Sequence, residues 1–261
     1  MPAGELPKDV STIRRIIHDE AMQLAAEENR RFLALLRQLS PADWLKATDC
    51  TRWTVRDVAV HVIASAEAQA SPLEFLRQAW QGRRLTSEIG GHHWVDGLNE
   101  AQLRTRTGLS PDDIPLRWER ASADALKARQ RMPRPVRKLP LLPLGSMDGV
   151  DLGWQPLGYL FDIGFTRDVW MHRLDICLAT GRAVNPTGGH DGRIVEDIIA
   201  EWATLHGDSF GLRLTGPAGG VFTRAEGTGD EDWCEVDALE CCRILSGRGS
   251  AHGVLRHALP L

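Results

Sequence analysis

Residues 155–181 read QPLGYLFDIGFTRDVWMHRLDICLATG, from Gln155 to Gly181. This stretch divides the chain into two parts of different character. It predicts a helix of about 26 residues from Gln155 to Thr180, with Gly181 in the left-handed position that commonly follows a helix end. The chain before it carries helical periodicity. Beyond residue 185 the pattern changes to short alternating segments bounded by glycine: LRLTG (212–216), GVFTRAEG (220–227) and DWCEVDA (232–238). These read as strands.

Working outward toward the N-terminus, residues 10–39 predict a long amphipathic helix. Ile13, Ile17, Ala21, Leu24, Phe32, Leu35, Leu36 and Leu39 fall mostly at helical spacing, and Ser40-Pro41 stops the pattern. Thr54 and Asp57 open a helix over 55–69, with Val58, Val62, Ile63 and Ala66 on one stripe. A further helical stretch follows Ser71-Pro72 and reaches Gln81. A polar loop over 82–91 precedes a helix over 92–107. Ser110-Pro111-Asp112-Asp113 opens another that reaches Arg131. Residues 132–153 carry Pro133, Pro135, Pro140 and Pro143 and read as an irregular loop. On the C-terminal side, His190-Asp191 opens a helix to residue 206, and Asp237 opens a last one ending near Gly247. The expected fold class is mainly α: a helical bundle over 1–185, followed by a small α+β domain over 186–261.

Composition narrows the function. The 261 residues are 43% hydrophobic and 25% charged, with a net charge of −4, which excludes a disordered chain and a broad basic nucleic-acid footprint. No apolar run approaches the roughly 18–20 residues of a membrane span, and the N-terminus lacks the apolar core of a signal peptide. The five cysteines show no disulfide or CxxC framework, so a cytoplasmic protein with reduced thiols is expected. Lysine occurs only at Lys8, Lys46, Lys127 and Lys138, and the resulting arginine excess reads as a high-GC genome. Of the nine tryptophans, several are expected to line packed helix contacts or a pocket.

Few residues bear on chemistry. Asp168 and His172 stand four apart on the long helix, on one face and one turn apart. Two such ligands can serve one cation, as in HExxH-type sites. His61, between Val60 and Val62, can add a third ligand from a neighbouring helix. Three N and O ligands with an open fourth position form the catalytic zinc pattern. Spacing alone leaves two other readings open: a surface Asp–His pair, and a hydrogen-bonded core imidazole at His61. Arg52, Arg167 and Arg173 flank these positions as candidates to receive an anionic substrate, with surface residues or bundle ion pairs as the alternative. His92, His93 and Trp94 open a helix after the polar loop, at a pocket mouth or as loop-end polarity. Cys50 and Cys177 read as buried small residues.

The segment Cys50-Thr51-Arg52-Trp53-Thr54-Val55-Arg56-Asp57-Val58-Ala59-Val60-His61 resembles the C-x-x-W-[ST]-V-x-D-V-x-x-H signature of the mycothiol-dependent maleylpyruvate isomerase family. That family belongs to the DinB-like metal-binding four-helix bundles. RDVWMHRLDICLATGR (167–182) resembles its second metal motif. VDALECCRILSGR (236–248) is similar to the start of the last helix of its small C-terminal domain. The resemblance implies a DinB-like bundle with His61, Asp168 and His172 as ligands of a divalent metal, zinc. It also implies mycothiol as thiol cosubstrate and a small electrophilic substrate for isomerisation or S-transfer. The founding isomerases carry Glu where this chain has Asp168, which is one methylene shorter. In the family the small domain packs over the bundle and helps form the pocket, which makes Arg243 and Arg248 further candidates there. The arginine excess then fits an actinobacterial host. No nucleic-acid or membrane partner is expected, and the chain would act as a monomer or homodimer. A metal-dependent hydrolase on the same scaffold and a non-catalytic metal or small-ligand binding protein are the competing classes.

Overall fold

A computed structural model describes residues 6–91, 93–147, 150–224 and 233–259. His92, residues 225–227 of one expected strand and Asp232 of another lie outside the described residues. The chain forms two compact units, one of residues 17–143 and 154–184, the other of residues 1–16, 144–153 and 185–261.

In the first unit, α1 (His18–Leu36), α2 (Val55–Ala70), α5 (Ile114–Arg131) and α7 (Phe165–Thr180) close a four-helix bundle: α1 and α2 each pack against both α5 and α7. The core holds Phe32, Leu36, Val58, Val62 and Ile63, which the periodicity placed there, and it adds Trp118 and Ile176; all are nearly fully buried. Phe32 meets Trp118 edge-on at 5.0 Å, and the Trp118 indole N–H donates to Asn29 O at 3.1 Å. The capping expected at the start of α2 is present in full. The Thr54 hydroxyl oxygen accepts from Asp57 N, and the Asp57 carboxylate accepts from Thr54 N at 3.0 Å.

Two more helices, α3 (Pro72–Glu88) and α4 (Trp94–Arg104), pack on each other and on α2. Their backbones touch at a glycine pair. A Cβ on Gly97 would lie 2.1 Å from Gly82 O, and one on Gly82 would lie 2.7 Å from Leu98 Cα. No larger residue fits at either position without separating the helices.

Several expectations are corrected. The N-terminal helix begins at His18, not residue 10: Lys8–Asp9 form strand β1, and Asp9 caps a single 3-10 turn over Val10–Thr12. Helix α3 continues to Glu88, through most of the stretch read as a polar loop. Its Ser71 cap and Pro72 at the first turn start it firmly, and polar residues on an exposed face do not stop a helix. The described part of 132–153 is not irregular throughout. It contains a short helix α6 (Arg134–Arg137) and strand β2 (Leu142–Met147), which pairs with β3 (Val150–Gln155). Both strands of a two-stranded sheet are edges, where Pro143 is tolerated.

The long helix read from Gln155 also begins differently. Tyr159–Gly164 forms a π-helical turn, and regular α7 starts at Phe165. That wide turn is held by buried Arg129, which donates to Phe161 O at 2.6 Å and to Thr166 Oγ1 at 2.8 Å. Asp162 is pinned by His18 and Arg137. At its other end α7 stops at Gly181, with φ +71°, as the sequence predicts.

In the second unit, β4 (Phe210–Thr215), β5 (Gly220–Arg224) and β6 (Trp233–Asp237) complete a sheet of order β1-β5-β4-β6. β4 runs antiparallel to β5 and parallel to β6, while β1 pairs parallel to β5 with Lys8 opposite Phe222. Helix α8 (Arg193–His206) packs against α9 (Ala238–Leu245), and Asp237 caps α9 through Leu239 N and Glu240 N. Among the described residues no helix is long and apolar enough to cross a membrane.

Candidate metal centre

Helices α2 and α7 are neighbours in the bundle, and they bring together the three residues singled out in the sequence. His61 Nε2 lies 3.6 Å from Asp168 Oδ1, and His172 Nε2 lies 3.4 Å from the same oxygen. The two imidazoles stand nearly perpendicular, at 81°, with centroids 5.1 Å apart. Both histidines are buried, while the Asp168 side chain keeps 28% of its surface exposed. One side of the cluster is therefore open. Trp53 covers another side, its indole 4.9 Å from the His61 ring and 6.1 Å from the His172 ring.

The far nitrogens of both rings are engaged. His61 Nδ1 lies 2.7 Å from Gln102 Oε1, and Gln102 Nε2 donates in turn to Gln78 Oε1 at 2.9 Å. His172 Nδ1 lies 3.0 Å from Asp175 Oδ2, to which the Cys50 thiol also donates at 3.4 Å. Asp175 has no exposed surface, and its ionised form can only accept, which sets a proton on His172 Nδ1. Its Nε2 then presents either a lone pair or a second proton to Asp168. Burial alone would push the His172 imidazole down. The Asp168 charge, with Asp175 and Cys50 alongside, outweighs burial and holds it well above its ordinary value. For Asp168, burial raises the carboxyl, but His172 and His61 outweigh it and hold it well below the usual carboxylate range.

Chemically, three donor atoms aim at one small volume, and each would repel the others without a cation between them. A proton can fill that role, and so can a metal ion. Histidine ligands of metals commonly donate the second ring N–H to a carboxylate or carbonyl oxygen, which is the arrangement of both rings here.

Arg52 is exposed and Arg167 is buried on α7. Arg173 is buried and donates to Glu28 Oε1 at 2.6 Å, an ion pair inside the bundle. His93 caps α4, accepting from Val95 N at 3.2 Å, and Trp94 Nε1 donates to Pro143 O at 3.3 Å. Arg243 lies on α9 in the other unit, paired with Glu240 and donating to Arg248 O. Sequence reasoning missed Gln78, Gln102 and Asp175, and it gave Cys50 no part in the site. Asp175 could have been found, because it follows His172 at a spacing that shares its helix face. Nothing in the pattern marks the two glutamines.

Comparison with known proteins bears on the family and the fold. Residues 25–177 match the domain family described as the mycothiol maleylpyruvate isomerase N-terminal domain. A crystal structure of the mycothiol-dependent maleylpyruvate isomerase shares the fold over 93% of both chains, with a TM-score of 0.57 and 19% sequence identity. A histidine-to-alanine mutant of that isomerase matches over the same share, with a TM-score of 0.56 and 18% identity. No curated protein matches the chain. With more than half of its length matched by that domain, the chain belongs to the mycothiol maleylpyruvate isomerase family.

Proposed function

We propose that the protein is a metal-dependent enzyme that activates a low-molecular-weight thiol, mycothiol, for isomerisation or S-transfer on a small electrophilic substrate. The observation that carries this reading is the aim of the rings. Both Nε2 atoms face Asp168 Oδ1 while a hydrogen bond holds each Nδ1. Two imidazoles and one carboxylate suit zinc, and three protein ligands leave a position open. Asp168, though shorter than the glutamate of the founding isomerases, lies close to both rings.

A free thiol has a pKa of about 8.5 and is mostly protonated at pH 7, and a bound divalent cation would supply the Lewis acidity that favours the thiolate. The chain's own residues do the rest. Gln102 and Asp175 orient the ligand rings. Trp53 shields them from water on one side, and the exposed edge of Asp168 marks the side of approach. Arg52 and Arg167, flanking the two motifs, are the proposed contacts for an anionic substrate, while Arg173 is engaged by Glu28. Isomerisation and S-transfer share this machinery and differ in whether the sulfur–carbon bond is later broken. The five free cysteines fit a reducing, cytoplasmic setting.

Elemental analysis of the purified protein and calorimetry with mycothiol test the proposal together. The expected result is about one zinc per chain and mycothiol heat only in the zinc-loaded protein. Equal mycothiol binding with and without metal, or none in the loaded protein, would overturn it.

A further inference from the structure

We propose that Gln78 and Gln102 are positioning residues that fix the tautomer of His61 through a one-way hydrogen-bond chain anchored on a backbone carbonyl. The inference rests on the metal reading above, and it names what prepares one ligand.

The direction of the chain follows from its far end. Ala64 O can only accept a hydrogen bond. The terminal atom of Gln78 that lies 3.0 Å from it is therefore the amide nitrogen, which also donates to Glu74 Oε1 at 2.8 Å. The other terminal atom of Gln78 is then its carbonyl oxygen, and Gln102 must present its own amide nitrogen to it, at 2.9 Å. That leaves the carbonyl oxygen of Gln102 facing His61 Nδ1 at 2.7 Å. An oxygen there can only accept, so His61 carries a proton on Nδ1, and in the neutral ring the Nε2 lone pair faces Asp168.

The chain begins and ends on α2. It leaves at His61, crosses α4 and α3, and returns at Ala64, about one turn further along the same helix. Gln78 is fully buried and Gln102 is 3% exposed, so water has little access to replace a missing link. The close backbone approach at Gly82 and Gly97 holds α3 and α4 near enough for their glutamines to meet. Without the chain the neutral ring has a competing choice. Asp168 Oδ1, 3.6 Å away, would draw the proton onto Nε2, the atom a metal needs bare.

Gln102→Leu, Gln102→Glu and Gln78→Leu test this in the full chain. The first readout is the imidazole proton position in metal-stripped protein at pH 8, from long-range nitrogen–proton NMR. The second is zinc affinity by chelator competition. Wild type is expected to carry a proton on His61 Nδ1. Gln102→Leu should move it to Nε2 and weaken zinc binding about 10–100-fold, the range for loss of an outer-shell partner. Gln102→Glu, which keeps the acceptor, should restore the wild-type proton position. Gln78→Leu should shift it partway. An unprotonated Nδ1 in wild type overturns the proposal, as does a Gln102→Leu protein with wild-type proton position and affinity. A wild-type pattern in Gln78→Leu removes Gln78 from the chain of control. If wild type binds no zinc, the metal reading fails, while the proton position still decides the role of the glutamines.

Discussion

Among the described residues there are two His–Asp–His clusters of the same composition, His61/Asp168/His172 in the helical bundle and His206/Asp208/His257 in the C-terminal unit. Their rings are arranged in opposite ways. In the bundle the imidazoles stand at 81° and direct both Nε2 atoms at one carboxylate oxygen. In the other cluster they stack at 11° with centroids 4.6 Å apart, so their in-plane lone pairs run along parallel sheets and do not converge. His206 Nδ1 accepts from Asp208 N at 3.0 Å, which puts the proton of the neutral ring on Nε2 and leaves no lone pair for a metal. His206 also lies against Trp202 and Phe210, at 4.3 and 5.6 Å. Ring orientation and the partner behind each ring, rather than composition, separate a cluster suited to a cation from one suited to a neutral imidazole.

The comparison breaks if both clusters bind metal. Asp168→Ala and His172→Ala should each reduce zinc affinity by more than about 100-fold, beyond the effect of losing an outer-shell partner. His257→Ala should leave stoichiometry and affinity as in wild type. Elemental analysis and chelator competition on the three variants give the answer. Zinc retained in Asp168→Ala but lost in His257→Ala would reverse the assignment.

How much of this was readable beforehand differs by feature. The bundle was legible because Phe32, Leu36, Val58, Val62 and Ile63 repeat at helical spacing and are in fact its core. Asp168 and His172 could be placed on one face by counting, but their nearness to His61 is a tertiary fact that no spacing encodes. Family resemblance alone pointed to it. Strand β1 was illegible: Lys8 and Asp9 carry no apolar alternation and become a strand only because β5 offers an edge. The π-helical turn before α7 was equally hidden, since it depends on Arg129 reaching carbonyls of a distant segment. The glutamine chain combines both difficulties, with polar residues on separate helices whose roles appear only once α3 and α4 touch.

That contact offers a way to sharpen the comparison without touching any ligand. Gly97→Ala places a methyl group where Gly82 O already sits, 2.1 Å from the new atom, so α3 and α4 must part. Overpacking of this kind costs about 1–3 kcal/mol. Denaturant unfolding should show that loss, and zinc affinity should fall toward the value of Gln102→Leu, because Gln78 and Gln102 are drawn apart. An Ala substitution that costs stability but leaves zinc affinity intact would mean that the His61 site does not depend on the helix pair.

The smallest expected effect belongs to the second cluster and concerns pH. His206 is lowered to about 4 from an ordinary 6.5, chiefly by burial, with the neighbouring His257 and more weakly Arg224 adding to the push and Asp208 opposing it. A base whose folded pKa is depressed is bound by protons more readily in the unfolded chain. Its contribution to stability is therefore complete above pH 6.5 and is lost progressively as pH falls toward 4. His206→Gln removes the titrating group and keeps an oxygen able to accept from Asp208 N. Thermal melts of wild type and variant across that window should diverge, with the wild type losing more stability on acidification. Zinc affinity measured at pH 8 should be the same in both. Parallel melting profiles would show that His206 is not held neutral by its surroundings, and the contrast between the two clusters would then rest on ring geometry alone.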